Sequence, residues 1–348
     1  MKTVGLGVVG AGLVGRRHMK AIAQALGTNL VGVVEPSEEG SAFLRDQGHT
    51  NFPSLDEMLA HDRVEGIILA TPTPLHMEQA LTCIQAGRPV LIEKPIAVSA
   101  KDAAPMVALA EERRVPILVG HHRRHNPIIR KAHQIISSGA LGEVRAVQAT
   151  CWFYKPDHYF AQAPWRTKKG AGPISVNLVH DIDLLRHLVG EVASVQAVAA
   201  PSTRGFDNED VAAAVLQFQN GAVGTITVSD SIVAPWSWEH TAAEYPVYPV
   251  TPENCYQIGG SKASLSIPDL RLWQHENGGQ DWWTPISATS QIRQSADPLL
   301  SQIVHFANVI LGEESPLVSG REGLQSLRVV EAIQQAAATG QAVTIEHV

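Results

Sequence analysis

Cysteine is scarce in this sequence. Only Cys83, Cys151 and Cys255 occur among 348 residues, and no two of them have the close spacing of a disulfide framework or a zinc motif. We therefore expect reduced thiols, as in a cytoplasmic protein, and no metal site built on cysteine.

Long apolar runs and an excess of basic charge are also missing. No stretch approaches the roughly 20 apolar residues that span a bilayer, and no charged-then-apolar leader precedes the first strand-like segment, so we expect neither membrane insertion nor export. The formal net charge of −7 argues against a nucleic-acid partner, because phosphate contacts need a basic surface. With 45% hydrophobic residues among 348, the chain can bury a substantial core, and its length suggests two globular domains.

In the first third of the chain, short β-rich segments alternate with helical patterns. The strand-like segments are continuous apolar runs, namely VGLGVV, LVGVVE, GIILAT, PVLIE and PILVG. This alternation is typical of a parallel sheet with helices on both faces. We assign residues 1–122 to this domain.

Beyond residue 122 the predicted strands are longer. The segments GEVRAVQATCWFY, VASVQAVAA, DVAAAVLQF and AVGTITVSD predict a large, mostly antiparallel open sheet, with Asn220-Gly221 as a hairpin turn. A helix near Ile174–Leu188 should pack on its face, and helices over Pro298–Leu311 and Arg321–Ala338 should complete the covering. Residues 123–348 are thus expected to form a second α/β domain.

Three glycines indicate a dinucleotide site. Gly10, Gly12 and Gly15 have the G-x-G-x-x-G spacing after a predicted strand and at the start of a predicted helix, which suits close approach of a pyrophosphate. Glu35 ends the second strand, where an acid can accept hydrogen bonds from the ribose, and the following PSEEG has no basic residue for a 2′-phosphate. This favours NAD over NADP. A structural glycine turn and a solvated glutamate are the alternatives.

Several candidate residues follow the ends of the predicted parallel strands: Gly10, Glu35, Thr71, Lys94 and His121. Ligands bind at this edge of an open parallel sheet, so these residues should share one crevice. Lys94 would lie beside the cofactor, where it could polarise a substrate oxygen or relay a proton; the alternative is a strand-end lysine that reaches water. The proline that follows restricts Lys94 to extended geometry and allows a cis peptide bond.

A polar stripe marks the predicted helix of the second domain. Asn177, His180, Asp183 and His187 recur at helical spacing, opposite an apolar stripe. This fits a cleft wall in which His180 is a general base and either Asp183 or Asn177 holds the substrate or orients the imidazole. A solvated helix face is the alternative.

A basic segment, HHRRH at 121–125, lies at the predicted domain junction. Arg123 and Arg124 could face an anionic substrate or the cofactor phosphates, with plain surface charge as the alternative. His121 and His125 have the helical spacing of metal ligands, but Asn126-Pro127 argues against a continuous helix, so we expect no metal.

Two aromatic-rich segments could form apolar walls over a small ligand: CWFYKPDHYF with the following PWR, and APWSWEHTAAEYPVYP. Tyr159 and Trp236 are the expected substrate contacts within them. The same rings could instead pack an oligomer interface.

Six segments of the chain form a combination: GAGLVGRRH, ATPTPLHMEQAL, GRPVLIEKP, PWR, VNLVHDIDLLRHLVG and SGREGLQSLRVVEAI. Together they resemble the Gfo/Idh/MocA family of NAD(P)-dependent oxidoreductases, and the resemblance covers nearly the whole chain. The resemblance implies an N-terminal Rossmann domain and a C-terminal α/β domain whose open sheet mediates homodimers or homotetramers. It also implies that Lys94 and His180 are catalytic, that Asp183 contacts substrate and that Pro95 is cis.

On the cofactor side, the resemblance implies roles for His76 and for the loop with Trp165 and Arg166. One departure matters: many sugar and inositol dehydrogenases of this family have Asp four residues before the histidine, and Val176 occupies that position here. The family's acid therefore cannot be transferred. The aromatic loop and the arginines resemble members that act on cyclic dihydrodiols or carboxylated substrates.

The sequence thus predicts an NAD-dependent dehydrogenase that oxidises a secondary alcohol of a cyclic, sugar-like or carboxylated small molecule, with His180 as base and Lys94 as electrostatic and proton-relay partner. An NAD-dependent glycosidase and a non-catalytic dinucleotide-binding regulator are the alternatives. The expected cofactor contacts are Gly10, Ala11, Gly12, Leu13, Val14, Glu35, Ala70, Thr71, Pro72, His76, Glu93, Lys94, His121, Trp165 and Arg166. The expected substrate contacts are Lys94, Arg123, Arg124, Tyr159, Asn177, His180, Asp183 and Trp236.

Overall fold

The computed structural model describes residues 2–347. The described chain contains two compact units, one formed by Met1–His125 with Asp297–Leu327 and the other by Asn126–Ala296 with Arg328–Val348. The domain boundary at residue 122, between two parts of the chain that would each fold on their own, stays a prediction.

The first unit is built on a parallel sheet, as the apolar runs predict. Its strands are β1 (Val4–Val9), β2 (Thr28–Val34), β3 (Asn51–Phe52), β4 (Gly66–Leu69), β5 (Val90–Ile92) and β6 (Ile117–Val119). They pair in the order β3-β2-β1-β4-β5-β6, and every neighbouring pair is parallel. Strands β1, β4, β5 and β6 are buried along their whole length, because helices cover both faces of the sheet.

The second unit contains the larger sheet. Its strands are β7 (Val144–Trp152), β8 (Val192–Pro201), β9 (Glu209–Phe218), β10 (Val223–Ser229), β11 (Tyr256–Gly260), β12 (Ala263–Ile267), β13 (Arg271–His275), β14 (Ile286–Ser290) and β15 (Val343–Thr344). Their order is β14-β13-β12-β11-β7-β10-β9-β8-β15, and β7–β10 is the parallel pair in an otherwise antiparallel sheet. The α/β class and the mostly antiparallel second sheet are therefore confirmed.

Local signals place several elements correctly. The helices are α1 (Leu13–Gln24), α2 (Glu38–Asp46), α3 (Leu55–Leu59), α4 (His76–Gln85), α5 (Ala100–Arg113), α6 (Pro127–Ser137), α7 (Asp157–Ala161), α8 (Pro173–Val176), α9 (Leu178–Val189), α10 (Trp238–Thr241), α11 (Pro298–Leu311) and α12 (Gly320–Thr339). Asn220-Gly221 forms the turn between β9 and β10, with Gly221 at φ 86°. The helix predicted near 174–188 is split into α8 and α9 at Asn177.

Helix α11 differs from the expectation. Its position after the strands of the second sheet predicts that it covers that sheet, but α11 belongs to the first unit, where Leu299, Ile303 and Phe306 join the core around β1 and α1. Its apolar side chains predict a buried helix correctly. Position in the chain does not reveal which of two cores such a helix will join.

The second sheet buries one face and exposes the other. Buried and less buried residues alternate along β9, and helices α6 and α9 contribute to the core on the buried side. Val198, Val215 and Val223 are exposed on these strands. Assembly of dimers or tetramers through this sheet stays a prediction. No helix within residues 2–347 has the length and apolarity needed to cross a membrane.

Candidate active site

The carboxyl ends of the parallel strands lie along one edge of the first sheet, because all neighbouring strands run in the same direction. The predicted residues follow these ends: Gly10 after β1, Glu35 after β2, Ala70, Thr71 and Pro72 after β4, Glu93 and Lys94 after β5, and His121 after β6. The sheet topology thus brings the cofactor-side residues of the first unit to one edge.

The glycines between β1 and α1 have different physical roles. Gly10 has φ 94°, and a Cβ there would lie 2.9 Å from the carbonyl oxygen of Ala70. A Cβ on Gly15 would lie 1.9 Å from the carbonyl oxygen of Gly10, so this position requires glycine for packing. A Cβ on Gly12 would have no heavy atom within 4 Å among the described residues. The space above Gly12 is therefore open to a ligand.

The N-terminus of α1 suits an anion. Its first turn contains no acidic residue, and Leu13 is 81% exposed there although it is apolar. Free backbone N–H groups and the positive end of the helix dipole favour a phosphate at such a position. An open glycine, an uncapped helix start and an exposed apolar side chain fit the pyrophosphate and flanking groups of NAD.

Glu35 faces the glycine loop. Its Oε2 accepts a hydrogen bond from the backbone N–H of Ala11 at 2.6 Å, and its Oε1 accepts one from Ser37 at 2.8 Å. Burial raises the pKa of Glu35, but these hydrogen bonds outweigh that effect, so its pKa lies below the ordinary value. The carboxylate is therefore ionised and retains acceptor capacity for ribose hydroxyls.

Lys94 is fixed by the residues on either side of it. The Lys94–Pro95 peptide bond is cis, as the sequence allowed. Glu93 Oε2 accepts a hydrogen bond from the Lys94 backbone N–H at 3.2 Å. The buried ring of His76 lies within hydrogen-bonding distance of two carbonyl oxygens, that of Thr71 at 2.9 Å and that of Pro95 at 3.0 Å. His76 thereby links the end of β4 to the turn after β5.

The carboxylate of Glu93 is held by His18 of α1. His18 Nε2 lies 2.7 Å from Glu93 Oε1, and the imidazole is completely buried. Burial raises the pKa of Glu93, but the hydrogen bond and charge of His18, with contributions from His122 and Lys94, lower it to about 2. An ionised carboxylate thus joins the helix of the glycine motif to the turn that carries Lys94.

The basic segment is buried. Arg124 is 3% exposed and pairs with Glu322 of α12 at 2.7 Å, and the ring of His125 lies 5.1 Å from that of His305. Plain surface charge is therefore wrong for Arg123 and Arg124, since both side chains are removed from solvent. Their contact with substrate stays a prediction. Within residues 2–347, no group of three or more His, Cys, Asp or Glu side chains is arranged to hold a metal ion.

In the second unit, the polar stripe of α9 is buried at Asn177, His180 and Asp183 and half-buried at His187. His180 is 9% exposed and Asp183 is 1% exposed, so the solvated-face alternative is wrong. His180 is the third residue of α9, and its backbone N–H donates to the carbonyl of Asn177. Three-residue spacing places Asn177, His180 and Asp183 on one side of the helix.

The aromatic and basic side chains predicted to contact ligands in the second unit form two groups, one around Arg166 and Tyr159 and one around Trp236 and Trp152. Arg166 donates a hydrogen bond to the carbonyl oxygen of Tyr159 at 2.6 Å, and its guanidinium stacks 3.9 Å from the centre of the Tyr159 ring. Trp165 is exposed on the same turn. Trp236 packs edge-on against Trp152 and is partly exposed. These rings are available to a ligand, and their contacts with one stay predictions.

The sequence patterns predict no role for Lys155 or His18, although the structure gives both specific partners. Lys155 Nζ donates to Asn177 Oδ1 at 2.6 Å, although 22 residues separate them. Its signal is a single lysine inside the aromatic segment CWFYKPDHYF. His18 shares a helical stripe with the buried Gly15, Met19 and Ile22, and that spacing could have identified it as a buried polar residue.

Comparison with known proteins agrees with this architecture. Residues 4–121 match the family model described as "Oxidoreductase family, NAD-binding Rossmann fold", and residues 129–266 match "GFO/IDH/MocA C-terminal domain". The chain is 28% identical to 1,5-anhydro-D-fructose reductase of Ensifer adhaerens over 98% of both proteins. It is 29% identical to UDP-N-acetylglucosamine 3-dehydrogenase of Acidithiobacillus ferrooxidans over 66% of this chain and 68% of that protein.

A solved structure is similar over the full length. The WlbA dehydrogenase of Bordetella pertussis, in complex with NADH and UDP-GlcNAcA, superimposes with a TM-score of 0.78 at 28% identity and covers 100% of both chains. The matched domains, the relatives and the NAD-compatible edge of the first sheet lead to one conclusion. This chain belongs to the Gfo/Idh/MocA family and is an NAD-dependent oxidoreductase that acts on CH–OH groups.

Proposed function

We propose that this enzyme oxidises a secondary alcohol of a sugar-like ring, with His180 as the general base and Lys94 as the electrostatic and proton-relay partner. When bound, NAD supplies C4 of its nicotinamide as the acceptor of the hydride that leaves the alcohol carbon. The hydroxyl proton passes to His180, so the products are a ketone, NADH and a proton. General-base assistance of this kind contributes about 10²–10⁴-fold to the rate.

The residues of the first unit hold the cofactor in this proposal. The open space above Gly12 and the start of α1 receive the pyrophosphate, and Glu35 accepts hydrogen bonds from the ribose. The remaining expected contacts continue along the same edge of the sheet, from Ala70–Pro72 to His121, with Trp165 and Arg166 contributed by the second unit.

The observation that carries the role of Lys94 is the continuous set of contacts from the glycine loop to its turn. Gly10 abuts Ala70, His76 joins Thr71 to Pro95, and Glu93 accepts from the Lys94 backbone. A lysine that merely reached water would need none of these constraints. A rigid turn beside the cofactor keeps the ammonium ready to stabilise a developing alkoxide.

The role of His180 is supported by the buried polar face of α9. Asp183 lies one turn further along the helix and Asn177 one turn before, so either side chain could orient the imidazole or hold the substrate. A histidine placed on a rigid helix among polar neighbours suits proton transfer near neutral pH.

A pyranose or sugar-acid substrate is supported by the named relatives. They act on 1,5-anhydro-D-fructose and UDP-N-acetylglucosamine, and the similar WlbA structure contains UDP-GlcNAcA. Val176 removes a carboxylate that would repel an anionic substrate group from the neighbourhood of His180.

The test is a screen of sugar acids, nucleotide sugars, polyols and cyclic diols with NAD and with NADP, read by NADH absorbance. Net NADH formation supports a dehydrogenase, whereas sugar release without net NADH would indicate the glycosidase alternative. On the best substrate, Lys94→Ala and His180→Ala should each lower kcat by about 10²–10⁴-fold while the Kd of NAD changes less than about threefold. The exposed Lys101→Ala is the matched control and should retain full turnover. Full activity of Lys94→Ala would remove the lysine from the mechanism.

A further inference from the structure

The second unit contains a buried lysine, Lys155, that has no part in the proposed reaction. Lys155 follows β7 and is only 5% exposed. Lysine is almost never buried to this extent unless its ammonium has specific partners, because removing the charge from water is costly. The backbone of Lys155 is held from both directions: its N–H donates to the carbonyl of Asp230 at 2.9 Å, and its carbonyl accepts from Arg204 at 2.9 Å.

The ammonium shares its counter-ion. Asp230 Oδ2 lies 3.7 Å from Lys155 Nζ, and Asp230 Oδ1 accepts a hydrogen bond from Arg204 at 3.2 Å. Burial lowers the pKa of Lys155, and the charge of Asp230 is the main opposing influence. The shortest contact of the ammonium is not with this carboxylate but with the neutral side chain of Asn177, at 2.6 Å.

The side chain of Asn177 is not engaged in capping a helix. Asn177 lies between α8 and α9 with helical backbone angles (φ −101°, ψ −54°), whereas a capping asparagine has an extended backbone. Its side chain makes no hydrogen bond to the first turn of α9, and its Oδ1 accepts from Lys155. The orientation of this side chain is therefore set by Lys155 and not by the helix start.

The contact with Lys155 also fixes which way the amide points. An ammonium group can only donate, so the oxygen of Asn177 faces Lys155 and the NH2 group is turned away. The structure shows no hydrogen bond from that NH2 group to any of residues 2–347. It lies one helical turn before His180, on the same side of α9.

We propose that Lys155 is a positioning residue that orients the Asn177 amide, so that its NH2 group donates a hydrogen bond to a substrate oxygen next to His180. This inference rests on the proposed function. It assigns the substrate an acceptor at that point, a ring hydroxyl, carbonyl or carboxylate oxygen. An aspartate at this position would present no donor.

The test compares Lys155→Met, Asn177→Ala and the double variant by steady-state kinetics at neutral pH. Each single variant should raise the KM of the substrate by about tenfold and leave the KM of NAD within about twofold, since a lost charge-assisted or substrate hydrogen bond has an effect of this size. In the double variant, Lys155→Met should add less than about twofold to the effect of Asn177→Ala, because the two residues act as one unit. Lys168→Met, which removes an exposed lysine paired with Asp207 in the same unit, is the control and should be silent.

A purely structural ion pair with Asp230 gives different results. It would make the effects of Lys155→Met and Asn177→Ala multiply in the double variant, or would lower the thermal midpoint without changing the substrate KM, and either result overturns the proposal. If Lys155→Met does not fold, Asn177→Asp decides the question. That variant keeps a partner for Lys155 but has no NH2 donor, so it should match Asn177→Ala in kcat/KM, and wild-type kcat/KM would refute the proposal.

The two proposals can fail separately. Unchanged turnover in His180→Ala would defeat the proposed function. Loss of turnover in His180→Ala combined with unchanged substrate KM in Lys155→Met would defeat only the role of Lys155.

Discussion

The buried pair of His18 and Glu93 should stabilise the fold measurably. The side chain of Glu93 is 12% exposed and that of His18 is fully buried, so solvent screens the 2.7 Å contact weakly. Burial raises the pKa of Glu93, and the hydrogen bond from His18 reverses this, so the pKa falls from an ordinary 4.5 to about 2. That difference corresponds to about 3 kcal/mol of stability at neutral pH.

We therefore expect His18→Ala to lower the free energy of unfolding by about 3 kcal/mol at pH 7. The stabilisation by an acid with a lowered pKa is complete above its unfolded pKa of about 4.5 and disappears as pH falls through the folded value of about 2. The difference between wild type and His18→Ala should consequently narrow between these two pH values. Urea unfolding followed by circular dichroism between about pH 2 and pH 7 measures this difference.

Two further variants complete this experiment. Adding Glu93→Gln to His18→Ala should restore part of the lost stability, because the buried group no longer carries an uncompensated charge. His49→Ala, which removes a half-buried histidine of the same unit, is the matched control and should change stability by less than about 1 kcal/mol. A loss below about 1 kcal/mol in His18→Ala, or a loss independent of pH, would refute the reasoning.

Two predictions concern the cofactor loop. Gly15→Ala should destabilise the protein by about 1–3 kcal/mol, because its Cβ would lie 1.9 Å from the carbonyl oxygen of Gly10. Gly12→Ala should fold normally but weaken NAD binding, because its Cβ enters the open space that the cofactor would occupy. Thermal unfolding and NAD titration separate the two variants, and equal thermal midpoints would contradict the different roles of the two glycines. Glu35→Ala should raise the KM of NAD by about tenfold and that of NADP much less, because the ribose of NAD loses its hydrogen-bond acceptor. A parallel rise in both KM values would show that Glu35 does not bind the ribose hydroxyls.

The sequence predicts individual elements of both units well where the signals are local. Apolar runs, the glycine spacing and the Asn220-Gly221 turn each depend on a few adjacent residues. Two helix starts belong to the same group: Ser54 accepts a hydrogen bond from the backbone N–H of Glu57, and Ser319 accepts one from that of Glu322, each at the three-residue spacing of a capping serine.

The parts that the sequence did not predict depend on contacts between distant residues. His18 and Glu93 are 75 residues apart, and nothing near either one indicates the other. Lys155 meets Asn177 because β7, β10 and the start of α9 are brought together by the sheet. Helix α11 joins the first core after the chain has formed strands β7 to β14 of the second sheet. Such pairings follow from topology, which periodicity alone does not determine.

The buried state of the polar stripe on α9 was also beyond sequence reasoning. Helical spacing of Asn177, His180 and Asp183 is compatible with water on that face or with an enclosed site. Their low exposure resolves this choice, since polar side chains withdrawn from water need partners.

The central claim is that the Lys94 ammonium and the His180 imidazole act on the same hydroxyl of a bound substrate. A crystal structure with NAD and the substrate or product found by the screen tests it directly, through the distances from Lys94 Nζ and His180 Nε2 to the reacting oxygen. We predict that both lie within about 3.2 Å, or are joined to it by a single water. Two nitrogens that point into separate cavities, with the reacting oxygen beyond hydrogen-bond reach of either, would contradict the mechanism.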